Sequence, residues 1–592
     1  MQLDFLDWSI IVLYLTITLG IGLFFRQRAG QSLSDYFISG RSLPWWIAGT
    51  SMVATTFAAD TPLAVTGLVA KYGLAGNWLW WAFAFGGMLT VFVFARLWRR
   101  AEVMTDVELV ELRYSGMPAA VLRGTRALYV ALIINPIIIG WVTKAIVVVL
   151  KETVLHGETF AGLPAWLPAD WLIIAGLLTI VGIYCTMSGM WGVAMTDFVQ
   201  FFAAMIGCIL LAVVAVKHVG GVDLLRAKVI EQFPAGEQAF RFLPDVTSEN
   251  TWMPAHIFMI YLCVQWWATW YPGAEPGGGG YVVQRMASCK DEKHALYATL
   301  WYQVAHYCIR PWPWLMVAFV ALVMFPGTED AGFAVVIREL SPSGVRGLMI
   351  VTFFAAFMST ISTQMNWGAS YLVRDIYQRF IKPDASDKQL TGVSRLVSLG
   401  VLLLGGIVSG VMVESGISID EAWTILLALG AGTGAVFILR WFWWRINAWS
   451  EITAMLASLG YFIYFRSRFD HDEETMLAVA CATIVTWIVV TFITPPDSRE
   501  VLERFYRKVR PGGPGWGPLA KAAPDVEVDR NVAVSILMAV FGSAIVYLTI
   551  PGVGAIIFRD YLTGVGLLTG AAVCAAVVVV LMRRVGATEI LK

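Results

Sequence analysis

Charge is scarce in this chain. Only 14% of its 592 residues are charged and 58% are hydrophobic, a balance too apolar for a soluble protein with one core. The 42 basic and 42 acidic side chains cancel, so nothing points to a nucleic-acid partner. Seven cysteines lie scattered without a CxxC pair, which leaves them as packing residues and offers no disulfide framework. No P-loop, HExxH or GxSxG occurs and the six histidines are dispersed, so no catalytic constellation is visible and the chain reads as a non-enzyme. The N-terminus, MQLDFLDWSI, is acidic where a secretory leader is basic, so its apolar run is expected to be retained as a helix.

Long apolar runs are present in abundance. A helix needs about 20 apolar residues to cross a bilayer, and about fifteen such runs can be placed, predicting an all-α polytopic membrane protein in a lipid bilayer. Lys and Arg concentrate in one set of alternating loops. That bias predicts the N-terminus outside and the C-terminus in the cytoplasm, in a plasma or inner membrane. Many of the 26 tryptophans flank spans, as in PWW and WFWWRINAW, and read as interfacial belts. GAGTG at 430–434 lies within an apolar span and reads as a helix-packing contact, not a nucleotide loop.

Two spans are interrupted. ATTFAADTPL, Ala54 to Leu63, puts a carboxylate and a proline inside the second. QWWATWYPGAEPGGGGYVVQR, Gln265 to Arg285, puts two prolines and a run of glycines into the seventh. Unwound backbone at membrane depth must find partners in protein, water or ions, and paired interruptions point to a transporter's central site. The two lie an odd number of spans apart, which predicts blocks of opposite topology.

Four ordered motifs carry a family resemblance: DYFISGRSLPWWIAGTSMVATTFAADTPLAVTGLVAKYG, MWGVAMTDFVQ, GYVVQRMASCKDEKHA and AAFMSTISTQMNWGASYLVRDIY. In order and spacing they resemble the sodium:solute symporter family, over roughly residues 1–495. The resemblance implies a five-plus-five inverted-repeat core of the leucine-transporter type, with one helix before it and four after it. It also implies alternating access, sodium as the coupling ion and a small solute as cargo. No obligate protein partner is evident. The expected divisions are 1–43 (N-terminal helix and loop), 44–217 (first repeat), 218–252 (extracellular loop) and 253–446 (second repeat). They continue with 447–494 (two peripheral helices), 495–530 (a Gly/Pro-rich cytoplasmic linker) and 531–592 (two extra helices and tail).

Ala356, Ser359 and Thr360 recur at i, i+3 and i+4, on one helix face. They offer a carbonyl and two hydroxyls to a hard cation, which prefers oxygen ligands. The resemblance adds the main-chain oxygens of Ala54 and Phe57 and implies a sodium site. It suggests a second sodium site at Asp197, Ser359, Ser362 and Thr363; the alternative for Asp197 is pairing with a basic side chain such as Lys144. For the solute the resemblance nominates Thr56, Asp60, Thr61 and Asn135, with Tyr281 as an aromatic inner gate. Trp80, Trp81 and Trp267 are candidate stacking faces, with interfacial anchoring as the alternative, and Arg310 is a candidate grip on an anionic group or a sugar hydroxyl, with pairing to a carboxylate as the alternative.

Asp60-Thr61-Pro62 reads as the start of a half-helix with Asp60 as its cap. A capping carboxylate would disfavour a solute carboxylate there. The expected function is therefore sodium-coupled import of a small polar solute, sugar or polyol ahead of amino acids and carboxylates. A proton-coupled variant and a non-transporting sensor on the same fold are the alternatives.

Overall fold

The first helix shows how local chemistry places a whole element. In α1 (Phe5–Ala29) Asp4 caps the N-terminus by accepting from the Asp7 N–H. Buried Asp7 turns to a second helix end, where its Oδ1 accepts from the Gly344 and Gly347 N–H groups at 2.8 Å each. The acidic N-terminus thus pins α1 to the start of a distant helix, where a carboxylate satisfies otherwise unpaired donors.

The computed structural model describes residues 3–156, 168–248, 251–268, 276–415, 423, 427, 430–469, 471–529 and 531–585. The described residues hold no β-strand, only an isolated bridge between Leu43 and Cys289. After α1 come α2 (Trp45–Thr56) and α3 (Thr61–Tyr72), bent by 55° at their break, then α4 (Leu74–Ala101) and α5 (Gly116–Glu152). α6 (Ala169–Val219) is two helices joined at Gly189, whose φ of 54° and ψ of −169° suit glycine. α7 (Ala255–Ala268), α8 (Gly280–Ser288), α9 (Glu292–Met324), α10 (Val345–Ile381) and α11 (Asp387–Glu414) follow. The last are α12 (Gly434–Phe442), α13 (Ala448–Phe465), α14 (Asp472–Ile493), α15 (Val532–Ile557) and α16 (Tyr561–Arg584).

Among the described residues ten helices are long and apolar enough to cross a membrane, eleven if the bent pair counts as one span. The sequence reading expects fifteen. Of the other four, Ala169–Ile183 and Ala255–Ala268 are shorter apolar helices and Ala448–Phe465 is not among the ten. The first part of the span expected over 419–444 falls mostly outside the described residues, and its second part holds the short helix α12. The centre of the second interruption, 269–275, between α7 and α8, also falls outside them.

α10 is the hub. It packs against α1, α2, α5 and α6, while α2 also packs on α6 and α9. Two helices widen into π-type turns just before a proline: Val130–Ile134 ahead of Pro136 and Ala305–Ile309 ahead of Pro311. Proline lacks the N–H and crowds the preceding turn, and a widened turn relieves both.

The expected linker 495–530 is instead packed structure. It holds helices Arg499–Val509 and Gly517–Ala522, and the buried Trp516 stacks on Phe505. Arg113 lies over both rings and donates to the Arg440 carbonyl at 2.9 Å. Glycine and proline here serve tight packing: a Cβ at Gly515 would sit 2.0 Å from the Phe442 carbonyl oxygen.

Candidate ion and solute site

The first half-helix ends where the Phe57 N–H is shared by the Val53 and Ala54 carbonyls, both at 3.0 Å, and Phe57 leaves helical geometry at ψ 69°. The second half starts with the Thr61 N–H on the Ala58 carbonyl, and Pro62 has no N–H to satisfy. Asp60 occupies the cap position without capping. Its Oδ2 accepts from the Trp423 indole at 3.0 Å, and its Oδ1 has no hydrogen-bond partner among the described residues. The capping expectation is corrected accordingly: the first donors are taken or missing, and the indole draws the carboxylate away. The charge argument built on that cap lapses with it.

Across the break stands α10. The Thr360 hydroxyl lies 3.0 Å from both the Thr55 and Ala356 carbonyl oxygens, tying α10 to the unwinding end of α2. Ser359, one residue earlier, donates to Asp197 Oδ1 at 2.7 Å. A hydroxyl that gives its proton away keeps its lone pairs for a cation. Ala54, Phe57, Ala356, Ser359 and Thr360 are all buried, and of the five a hydrogen bond joins Thr360 to the Ala356 carbonyl beside the break.

Two of the four residues nominated for a second ion, Asp197 and Thr363, meet a protein cation, Arg285. The Arg285 Nη2 lies 3.7 Å from Asp197 Oδ2 and donates to Thr363 Oγ1 at 2.6 Å, and Nε donates to Ser51 at 3.2 Å. Ser51 donates to Asp197 Oδ2 at 2.5 Å, and Ser362 bonds back to the Ser359 carbonyl. Lys144 is not the partner of Asp197; its Nζ reaches the Met412 carbonyl at 3.5 Å. Arg285 and Asp197 are each fully buried, which makes this an ion pair removed from solvent and completed by hydroxyls.

Two small cavities flank the break and share Thr56. The outer, of about 60 Å³, is lined by Thr56, Thr61, Trp80, Gln303, His306, Tyr307, Arg310 and Trp423 among others. Trp80 stacks on Tyr307 at 5.7 Å between centroids and meets His306 edge-on. Arg310 donates to Thr56 Oγ1 at 3.1 Å and lies over the Trp314 ring; His306 Nδ1 is 3.2 Å from the same hydroxyl. The inner cavity, of about 30 Å³, is lined by Thr55, Asp60, Trp141, Tyr281, Thr360 and Gln364 among others.

Three nominated residues lie elsewhere. Asn135 donates to the Gln364 carbonyl at 3.0 Å, joining α5 to α10; Trp81 is buried behind Trp80; and Trp267 donates to its own helix at the Cys263 carbonyl. The sequence reading missed Gln303, His306, Tyr307, Trp423 and Arg285. The spacing Gln303, His306, Tyr307, Arg310 is a polar stripe on one helical face of an apolar span, a legible signal. Gly87 touches this stripe: a Cβ there would sit 2.3 Å from Gln303 Oε1. Gly87→Val is expected to block the outer cavity and cut uptake at least about tenfold while the protein still folds, checked by transport and by elution as a single species.

With this geometry in hand, comparison with known proteins is decisive. Residues 36–458 match the pattern of the Sodium:solute symporter family. The chain belongs to that family. The symporter is 24% identical over 488 residues to the sodium/glucose cotransporter of Vibrio parahaemolyticus, covering 78% of this chain and 86% of that one. It is 25% identical over 558 residues to human sodium/myo-inositol cotransporter 2, covering 84% and 78%. Its fold is similar to a sodium-coupled sialic acid symporter described in a substrate-bound, outward-open state, with a TM-score of 0.66 at 21% identity, over 84% of this chain and 99% of that one. The protein is accordingly a multi-pass membrane transporter and not an enzyme, with sodium as its coupling ion.

Proposed function

We propose that the symporter imports a neutral polyhydroxylated solute, a sugar or polyol, by alternating access, with one sodium per cycle bound at Ala54, Phe57, Ala356, Ser359 and Thr360. The observation that carries this reading is that residues of one helix break face both a hydroxyl of α10 and a cavity. Thr360 approaches the carbonyls at one face of the break, while Thr56 opens on the aromatic cavity at the other. The stacked Trp80 and Tyr307 suit the apolar face of a ring. Thr56, Thr61 and Gln303, whose Oε1 has no hydrogen-bond partner among the described residues, suit hydroxyl groups. Relatives named for glucose and myo-inositol transport support the same class. With Asp197 paired to Arg285, the reading needs no second ion. At about 100 mV one inward charge contributes roughly 2.3 kcal/mol and a tenfold gradient about 1.4 kcal/mol more, enough for accumulation on the order of several hundred-fold. The inverted repeats span 44–217 and 253–446 in this reading, within about fifteen helices, and the N-terminus faces outward.

The test is uptake into proteoliposomes of labelled glucose, myo-inositol, proline and sialic acid, with sodium or potassium outside and at two pH values. Sodium-dependent uptake of a sugar or polyol, unchanged by pH, is expected. Uptake of proline or sialic acid alone would overturn the solute class, and uptake in potassium that follows pH would overturn the ion.

A further inference from the structure

The last two helices have no role in the reading so far, yet α15 touches both walls of the outer cavity. Against α4, the Tyr547 hydroxyl donates to the Trp81 carbonyl at 3.0 Å and its ring lies 5.2 Å from that of Trp78. The accepting carbonyl sits where α4 is interrupted: the segment Trp78–Trp81 ends, Ala82 and Phe83 form a turn, and Ala84–Leu89 resumes. Trp80 and Phe83, on either side of that carbonyl, both line the outer cavity. About two turns further along α4, a Cβ at Gly542 would meet Met88 at 2.9 Å, so the absence of a side chain there lets α15 lie directly against α4. Against α9, Trp312 donates its indole N–H to the Ile550 carbonyl at 3.0 Å, and Gly554 leaves room for the same ring, whose Cη2 would lie 2.3 Å from an added Cβ. Trp312 stands two residues beyond Arg310.

We infer that α15 is a positioning element for solute recognition: it holds the interruption in α4 and the Arg310 segment of α9 in fixed register, so that Trp80 and Phe83 face His306 and Arg310 across the cavity. Tyr547 and Trp312 are positioning residues in this arrangement, since neither lines the cavity. The inference rests on reading that cavity as the solute site. A buried carbonyl at a helix interruption needs a donor, and the Tyr547 hydroxyl is one supplied from outside the helix. Its removal leaves the interruption free to shift, while the sodium ligands on α2 and α10 are untouched.

The test uses the full-length protein with Tyr547→Phe, which keeps the ring, Trp312→Phe, and Leu562→Ala at a 90% exposed position of α16 as control. Two readouts are taken: hydrogen–deuterium exchange across residues 78–89 in nanodiscs, and KM and kcat for sodium-driven uptake of glucose and myo-inositol. For Tyr547→Phe and Trp312→Phe the expected result is faster exchange at the interruption and a rise in KM of about three- to tenfold, the range one lost hydrogen bond supports. The kcat, the sodium concentration for half-activation and the melting temperature should stay as in the parent, and Leu562→Ala should match the parent throughout. Unchanged exchange and unchanged KM in both variants overturn the inference. If the parent carries neither solute, the sugar reading fails, and exchange alone decides the role of α15: no change at 78–89 overturns it.

Discussion

Thr360→Ala and Ser359→Ala are each expected to raise the sodium concentration for half-maximal uptake by about 10- to 100-fold, and the double variant to lose sodium dependence altogether. The magnitude follows from the value of an interaction with a charged group, about 1.5–3 kcal/mol each, where the alternative ligand is not bulk water. Both hydroxyls are buried at the break, and Thr360 has the second function of holding the Thr55 carbonyl. Thr360→Ser keeps the hydroxyl and with it both roles. It should retain most sodium affinity, whereas Thr360→Val, which keeps the shape and loses the oxygen, should behave as the alanine does. Sodium titration of uptake in proteoliposomes reads all of these.

Arg285→Met is the more damaging change. It leaves the Asp197 carboxylate fully buried with two serine hydroxyls and no compensating cation. Breaking one side of a buried pair costs about 3–5 kcal/mol, a large share of the stability of most folded proteins. The expected outcome is a steep loss of monodisperse protein and of thermal stability. Arg285→Met with Asp197→Asn, which removes both charges, should recover much of that stability, since replacing a buried pair as a unit is often close to neutral. Sodium activation would remain weakened in the double variant, because a neutral amide at this position accepts from the Ser359 hydroxyl less strongly than a carboxylate does. Thermal stability and sodium activation measured on the same preparations separate the structural cost from the functional one.

The features legible in the sequence were those with a local cause. Composition announced the spans, and the coincidence of Asp60 and Pro62 in an apolar run announced the break that separates α2 from α3. The spacing of Ala356 and Thr360 put them on one face of α10, where the Thr360 hydroxyl meets the Thr55 and Ala356 carbonyls, while Ser359 bonds Asp197. What escaped had partners remote in the chain. Arg285 closes the interrupted stretch after its glycine run, and only the fold brings it to Asp197 on α6. Asp60 had every local mark of a cap, but an indole from a residue hundreds of positions later outcompetes a helix start that offers few donors. The segment 495–530 looked like a linker because glycine and proline serve tight turns and close packing alike, and composition does not distinguish the two.

In the proposed function the break between α2 and α3 offers sodium one face and solute the other. The most direct test is equilibrium binding of radioactive sodium to the purified protein, comparing the parent, Ser359→Ala with Thr360→Ala, and Gly87→Val. The account predicts one sodium bound by the parent, none by the double hydroxyl variant, and undiminished binding by Gly87→Val, whose obstruction lies on the solute face. Parent-like sodium binding by the double hydroxyl variant, or loss of sodium binding with Gly87→Val in a protein that remains folded, would contradict it.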